Sequence, residues 1–449
     1  MKQWFVPISI LMALACVLSM SVPSVVSAQA EAPEWKEGDR WAIGSNFDLA
    51  PNLQETQSEL EEFLEKANVT LTRFDLEGNG GSWILGEVTD VTDTEYEVTT
   101  KAGVKIAAEL HITVEGAMPS AGTYNVGNPL IWLMSGMPGV PKQQKEISID
   151  LDEDFAIFAS GKLILEKETL AIRSIDWQMK SSSTIDFEAK NIPSLETQGS
   201  NITITYTDYD ISLRFDLNVN INVAFEPYLD IYQFPFDVGD SWLVDSNATV
   251  SGTVSGFLDI KGLPDNVEEE IFSDEFVEAT GITDFPIEFD KITIHDENVN
   301  IHDGIIETFE VPIHAELHCI EKRSIQLGDL GTIEVYVIQI DDSHERIYYS
   351  NETKFLTKAT TDLGFIELPS EIPYDPFQGT EVEITLADPD VAESQLEQIA
   401  SYQASISEEA IGGGNAGGLS NWVTLLVIAI VIAVVIIVII LAFTHKKKR

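Results

Sequence analysis

The 449-residue sequence predicts a mainly β protein. It is expected to contain two duplicated, curled antiparallel sheets, each of which resembles a half-barrel and carries a short acidic helix. A single C-terminal transmembrane helix is expected to follow them. Three observations lead to this prediction. Apolar and polar residues alternate with a period of two along several segments. The motif aromatic-x-x-Gly-Asp-x-Trp occurs at 35–41 and again at 236–242. An uninterrupted apolar run fills residues 422–443.

Residues 1–30 are predicted to be a secretory signal peptide. Lys2 precedes an apolar run without acidic residues, and small residues ending at Ala28 and Ala30 have the spacing that signal peptidase requires. The alternative is a lipoprotein signal in which Cys16 carries the lipid. Either signal places the rest of the chain on the outer side of a membrane.

The first β unit is expected over residues 31–233. It alternates strictly at 103–116 and 210–225, and the second of these segments predicts a strand of about 50 Å at ~3.3 Å per residue. Strands of that length favour a strongly twisted, curled sheet. Residues 52–68 interrupt the alternation with a helical, acidic pattern.

An apolar loop at 128–141 interrupts the first unit, because its prolines and glycines exclude a long helix or a central strand. A loop with this composition covers a core, enters a membrane or lines a ligand site. The adaptable methionines favour the ligand site, and a core plug at one end of a sheet is the alternative. The candidate ligand-binding residues are Leu130, Ile131, Trp132, Leu133, Met134 and Met137.

The second β unit is expected over residues 234–386, with its own acidic helical pattern at 263–279. Each acidic segment follows its Gly-Asp-x-Trp motif, and this shared order predicts an internal duplication. In both copies Gly-Asp is expected to form a turn. Trp41 and Trp242 are then expected to anchor the first strand of each unit in the core.

The C-terminal part predicts an anchor. Residues 387–421 read as a short polar stalk helix and a glycine-rich flexible tether. Residues 422–443 reach about 33 Å as a helix, which is enough to cross a bilayer core. The basic tail at 444–449 follows directly and predicts a cytoplasmic C-terminus, with the N-terminus outside the cell.

The segment Gly331–Asp362, "GTIEVYVIQIDDSHERIYYSNETKFLTKATTD", together with the "GDSW" that opens the second unit, resembles uncharacterised secreted or membrane-anchored surface proteins, many of them archaeal. Their repeats open with Gly-Asp-x-Trp and close with a Tyr-Tyr-Ser hairpin. Their sheets are distantly similar to the lipoprotein-carrier half-barrel, which holds a lipid in a curled antiparallel sheet. The resemblance implies a lipid-like ligand and brings no catalytic residues.

Two polar clusters are candidate metal sites. His314, Glu316 and His318 share one strand face, and this set of donors suits zinc, whereas a solvated polar face gives the same pattern. Asp150, Asp152 and Asp154 also share a face, where either a divalent cation or water relieves their repulsion. The solvated interpretation is preferred for both clusters, so no cofactor is expected and a divalent cation remains the alternative.

The net charge, the cysteine count and the glycosylation sequons bear on which partners and modifications are expected. The formal net charge of −48 repels phosphate backbones, so nucleic acid is not an expected partner. With Cys16 removed, Cys319 is the one cysteine left, so no internal disulfide is expected. Sequons for N-glycosylation begin at Asn68, Asn201, Asn247 and Asn351.

The sequence thus predicts a non-catalytic, single-pass cell-surface protein whose ectodomain binds an apolar or amphipathic, lipid-like ligand in a curled sheet. The alternative is a structural or adhesive component of the cell envelope, with envelope proteins as partners and no ligand cavity. An enzyme is the third reading, and it rests on the histidine cluster alone. No motif for hydrolase or nucleotide chemistry occurs in the sequence.

Overall fold

The computed structural model describes residues 29–48, 69–125, 141–198, 201–263, 282–291, 293–295, 300–327, 331–340, 346–351, 355–362 and 381–410, and the single positions 61, 271, 272 and 277. Within these ranges the chain is mainly β, as predicted.

The first eight strands are long, apart from a short β4. They are β1 Arg40–Asp48, β2 Val69–Val91, β3 Glu95–Pro119, β4 Gly122–Asn125, β5 Lys142–Glu166, β6 Ile172–Gln198, β7 Asn201–Leu229 and β8 Ser241–Lys261. The later elements are shorter, apart from β12. They are β9 Ile287–Glu288, a 3-10 turn at Phe289–Lys291, β10 Thr293–His295, β11 Asn300–His302, β12 Ile305–Leu327, β13 Gly331–Ile340, β14 Arg346–Ser350, β15 Phe355–Asp362, β16 Glu381–Ala387 and the helix α1 Pro389–Ala410.

All of these strands belong to one antiparallel sheet rather than to the two sheets predicted. One run of strands, β1, β2, β3, β5, β6 and β7, pairs in that order, and a second run follows as β8, β12, β13, β14, β15 and β16. β7 pairs with β8, and β16 pairs with β1. Two separate sheets would leave four open edges, and this mutual pairing satisfies the backbone groups of those edges.

The first Gly-Asp-x-Trp motif forms a turn that locks β1 to β2. Gly38 has a φ of 88°, which glycine adopts without strain. Its N–H donates to the carbonyl of Val88 at 2.8 Å, and the N–H of Val88 donates to the carbonyl of Asp39 at 2.9 Å. The Asp39 carboxylate accepts from the N–H of Lys36 at 2.9 Å, closing the turn.

The second motif repeats this arrangement bond for bond. Gly239 has a φ of 94°, and its N–H donates to the carbonyl of Cys319 at 2.8 Å. The N–H of Cys319 donates to the carbonyl of Asp240 at 2.9 Å, and the Asp240 carboxylate accepts from the N–H of Asp237 at 2.8 Å. The prediction that Gly-Asp forms a turn in both copies is therefore confirmed.

Beside each turn, three aromatic side chains pack together in a shared core. Trp41 and Trp242 are 1% and 6% exposed, which confirms their predicted anchoring role. The first aromatic residue of each motif packs on its tryptophan, with ring centroids 6.0 Å apart for Trp35 and 5.1 Å for Phe236. The two trios are Trp35, Trp41 and Tyr96, and Phe236, Trp242 and Tyr336. Both belong to one cluster that draws side chains from both strand runs.

Helix α1 packs against the sheet face opposite this core. Asp388 caps it, accepting from the N–H of Asp390 at 2.8 Å. Near its start, Glu393 accepts from Lys101 at 3.1 Å and from Arg40 at 2.6 Å. The hydrogen bond from Lys101, followed by its charge, lowers the pKa of Glu393.

The apolar side of α1, Leu396 and Ile399, lies on Gly103 of β3, where a larger residue would meet both side chains. Further along, Gln403 donates to the hydroxyl of Ser182 at 2.7 Å. The helix predicted as a stalk is therefore, over its described length, part of the folded sheet domain.

Several predicted features lie outside the described residues. These are residues 1–28 of the signal peptide, most of both acidic helical segments, the apolar loop, the glycine-rich tether, the apolar run at 422–443 and the basic tail. Within the described ranges, no helix is both long enough and apolar enough to traverse a membrane.

Candidate ligand-binding face

We call the sheet face that carries Trp41 and its core neighbours the inner face, and the face under α1 the outer face. On β3 and β5 the inner face continues well beyond the core. Near the core, Val98 and Leu163 pair across the two strands and are 1% and 0% exposed. Further along, five apolar cross-strand pairs are only half-buried: Val104–Ile157, Ile106–Phe155, Leu110–Leu151, Ile112–Ile149 and Val114–Ile147. We call these ten residues the apolar strip.

The strand β2, on one side of the strip, has only small residues opposite three inner-face residues of β3. Gly80 of β2 lies opposite Ile106, and Gly78 and Ser82 lie opposite the next inner residues of β3. Because these three residues have no large side chain, β2 contributes little volume beside this part of β3. Further along, Leu76 and Phe74 of β2 lie opposite Leu110 and Ile112. Near the core, the inner position of β2 is Val88, which is fully buried.

On the other side of the strip, β6 contributes residues to a second core. Ile185 and Phe187 of β6 lie opposite inner residues of β5 and are buried. They pack in a cluster with β7, β8 and the segment around Phe289. The strip therefore lies between two closed cores on one continuous face.

The sheet curls at the far end of the strip. The hydroxyl of Tyr206 on β7 donates to the carbonyl of Pro119 at the end of β3, at 2.5 Å, across the positions of β5 and β6. The Lys145 ammonium lies 3.6 Å from the centre of the Tyr206 ring, a cation–π contact. Burial raises the pKa of Tyr206. The curl brings the ends of β3 and β7 together around the inner face.

The predicted ligand-binding residues Leu130, Ile131, Trp132, Leu133, Met134 and Met137 lie outside the described residues. The residues flanking their loop are described and lie at this curled end. Asn125 pairs with Asn201 at the start of β7, and the carbonyl of Pro141 accepts from the N–H of Ser120 at 2.8 Å. Both ends of the loop therefore start at the curled end of the sheet, beyond Val114 and Ile147, the last pair of the apolar strip.

One acidic residue lies within the strip. Glu153 is an inner-face residue of β5, between Leu151 and Phe155, and it lies opposite Ala108 on β3 and Ile185 on β6. Within the described part of the chain its carboxyl has no hydrogen-bond or ion-pair partner. Burial raises the pKa of Glu153, and the charge of the adjacent Asp154 adds to this rise.

Sequence reasoning missed Glu153, although a signal for it exists. In "SIDLDEDFAIF" the inner residues alternate as Ile149, Leu151, Glu153, Phe155 and Ile157, so the glutamate occupies an apolar position. The aspartates of this run, Asp150, Asp152 and Asp154, alternate with these residues and lie on the other face.

The structure places the histidine cluster on the outer face of β12. His314 and His318 lie four residues apart, about 13 Å along an extended strand, so both cannot reach one ion. His314 Nδ1 is 3.5 Å from a carboxylate oxygen of Asp245, and His318 Nε2 is 3.9 Å from one of Glu316. Among the described residues no group of three or more potential ligands could hold a metal ion.

The aspartate run lies on the outer face of β5, where Asp150 and Asp154 contact side chains of other elements. Asp150 Oδ1 is 2.7 Å from Nδ1 of His111. Asp154 accepts from the hydroxyl of Tyr402 on α1, and burial, followed by this hydrogen bond, raises the pKa of Tyr402. These contacts serve the docking of α1 and the pairing of β3 with β5.

Three of the four sequons are described, since Asn68 lies outside the described residues. Asn201 begins β7 and is half-buried, and the Asn247 amide donates to Glu310 at 2.8 Å. The Asn351 amide donates to the carbonyl of Gln29 at 2.6 Å and accepts from the N–H of Glu31 at 3.1 Å. A glycan on Asn351 would compete with this attachment of the N-terminal segment.

Cys319 is the one free cysteine among the described residues. It is 1% exposed inside the shared core, and burial raises its pKa to about 12. A thiol in this state does not ionise near neutral pH. Cys319 is therefore not suited to nucleophilic catalysis.

Comparison with protein-family models, with curated proteins and with solved structures finds no match to this chain. The resemblance based on the Gly-Asp-x-Trp motifs stays a prediction.

Proposed function

We propose that this protein is a non-catalytic, membrane-anchored surface protein whose curled sheet binds an apolar or amphipathic, lipid-like ligand along the apolar strip. One observation carries the proposal. Ten apolar side chains continue the face of a fully buried core and are themselves only half-buried. A face of this kind offers apolar area to an occupant, at roughly 25 cal/mol for each Å² removed from water.

The proposed topology comes from the sequence. A signal peptide is cleaved, the sheet domain lies outside the cell, and residues 422–443 hold it in the membrane. Ala30 is fully buried and forms a backbone bridge with Phe236, which favours cleavage after Ala28 over cleavage after Ala30. We further propose that the two strand runs arose by duplication. The matching hydrogen bonds of the two Gly-Asp turns support this origin.

A variant that fills the strip tests the function. Ala108 lies on the inner face of β3, and its neighbour Glu109 is exposed on the outer face. In Ala108→Phe the added ring should occupy the strip and abolish binding of a fluorescent fatty-alcohol probe. Glu109→Phe is the matched control and should bind as the parent does.

The measurement is probe titration of the full chain in neutral phosphatidylcholine nanodiscs, with empty nanodiscs subtracted. If the parent binds no probe above this background, and native mass spectrometry of the extracted protein finds no co-purified lipid, the carrier proposal fails. That result would favour the structural or adhesive envelope role.

A further inference from the structure

The apolar strip carries one ionisable side chain, and this residue bears on the chemistry of the ligand. Glu153 is surrounded on the inner face by apolar or small residues: Leu151, Phe155, Ala108 and Ile185. Ser183 of β6, which lies opposite Phe155, has a hydroxyl on the same face, and among the described residues no hydrogen bond joins it to Glu153. The adjacent Asp154, whose charge acts on Glu153, points to the outer face and carries the same sign.

Glu153 is half-buried. Removing a carboxylate from water without a partner is unfavourable, and pairing with a cation offsets part of that cost. The interaction is strongest when the partner is a charged donor in an apolar surrounding. An anionic head group would instead meet a second negative charge, in a protein whose net charge is −48. The whole-protein charge therefore also favours a cationic ligand.

We propose that the ligand of the apolar strip is an amphipathic amine, whose apolar chain lies along β3 and β5 and whose ammonium group pairs with Glu153. This inference rests on the proposed function and specifies the ligand class. It assigns Glu153 a role as a binding residue. Half-buried apolar residues extend along the strand on both sides of it, so the chain has apolar contacts on either side of the ion pair.

The test compares three probes with the same alkyl chain: dodecylamine, dodecanol and dodecanoate. Each is titrated calorimetrically into the full chain in neutral phosphatidylcholine nanodiscs, with empty nanodiscs subtracted. The amine should bind at least about tenfold more tightly than the alcohol, and the carboxylate should bind most weakly.

Glu153→Gln should reduce the preference for the amine, measured as the ratio of amine affinity to alcohol affinity in the same variant, to near unity. Glu109→Gln, on the outer face of the neighbouring strand, should retain the full preference. Amine binding to the parent should also weaken as the pH falls, because protonation of Glu153 removes its charge, and alcohol binding should not change.

The outcomes separate the two proposals. If amine and alcohol bind the parent equally, or if Glu153→Gln retains the amine preference, the head-group inference is wrong and the carrier function stands. If none of the three probes binds the parent above background, the carrier function itself fails. Tight binding of dodecanoate would also overturn the assignment of a cationic head group.

Discussion

The shared core and the apolar strip lie on the same face of the same strands and differ in what covers them. Val98 and Leu163 in the core are almost completely buried, whereas Ile106 and Phe155, a few residues further along β3 and β5, keep part of their surface accessible. Alternation of apolar residues is the same in both regions. Period-two patterning therefore specifies which face of a strand is apolar. How deeply that face is buried depends on how the strands close around it.

The largest expected effect concerns the two anchors of the core. Trp41→Ala or Trp242→Ala should each lower the free energy of unfolding by ~3–5 kcal/mol, because each removes a buried aromatic side chain from one aromatic trio. Denaturant unfolding of the parent and both variants measures this. A loss below about 1 kcal/mol in either variant would contradict the equivalence of the two units, and exposed Glu109→Ala serves as the control.

A smaller effect is expected when the loss of stability is compared between one core variant and one strip variant. Leu163→Ala in the core should lower the free energy of unfolding by ~2–5 kcal/mol, and Ile106→Ala in the strip by roughly half of that or less, since less of its surface is buried. The same unfolding measurement compares them. Equal losses would mean that the strip is ordinary core, which would favour the envelope role over the carrier role.

Local patterns predicted much of the fold. Alternation around 210–225 identified the middle of β7, which extends over Asn201–Leu229. The repeated motif identified both turns and both anchoring tryptophans, because a glycine with positive φ and a buried indole are local requirements of the chain. These features depend on neighbouring residues and are therefore readable in the sequence.

The pairing between the two units could not be predicted in this way. The Ala42↔Ala387 pair joins β1 and β16, which are far apart in the sequence. Nothing in the local pattern of either strand specifies the other as its partner. Separate sheets and one continuous sheet require the same alternation in each strand. Similarly, α1 was predicted as a helix, but its attachment through Lys101 and Glu393 depends on residues nearly three hundred positions apart.

The candidate site was also predictable only in part. The phase of Glu153 among apolar residues can be read from the sequence, but its isolation depends on Ala108 and Ile185, which other strands supply. The pattern alone could not exclude a basic residue opposite it. The absence of one at these two positions follows from the register of β3, β5 and β6.

The smallest expected effect is a pH-dependent one at this glutamate. Burial raises the folded-state pKa of Glu153 above the ordinary value of 4.5. A carboxyl with a raised pKa binds more protons in the folded state than in the unfolded state, so its contribution to stability is fully present below about pH 4.5 and is lost as the pH rises through the folded-state pKa. Glu153→Gln removes this loss, because glutamine does not titrate.

We therefore expect ligand-free Glu153→Gln to unfold at a higher temperature than the parent near neutral pH, by a few degrees at most, and the gap to narrow as the pH falls toward 4.5. Carboxylates such as Glu97, whose pKa is lowered by a hydrogen bond from Lys162, give the opposite slope in both proteins, and their contribution cancels in the difference. Thermal unfolding between pH 4 and pH 8 measures that difference. A gap that stays constant with pH would mean that Glu153 is not buried on an apolar face in solution, and the contrast between strip and core would then lose its most distinctive residue.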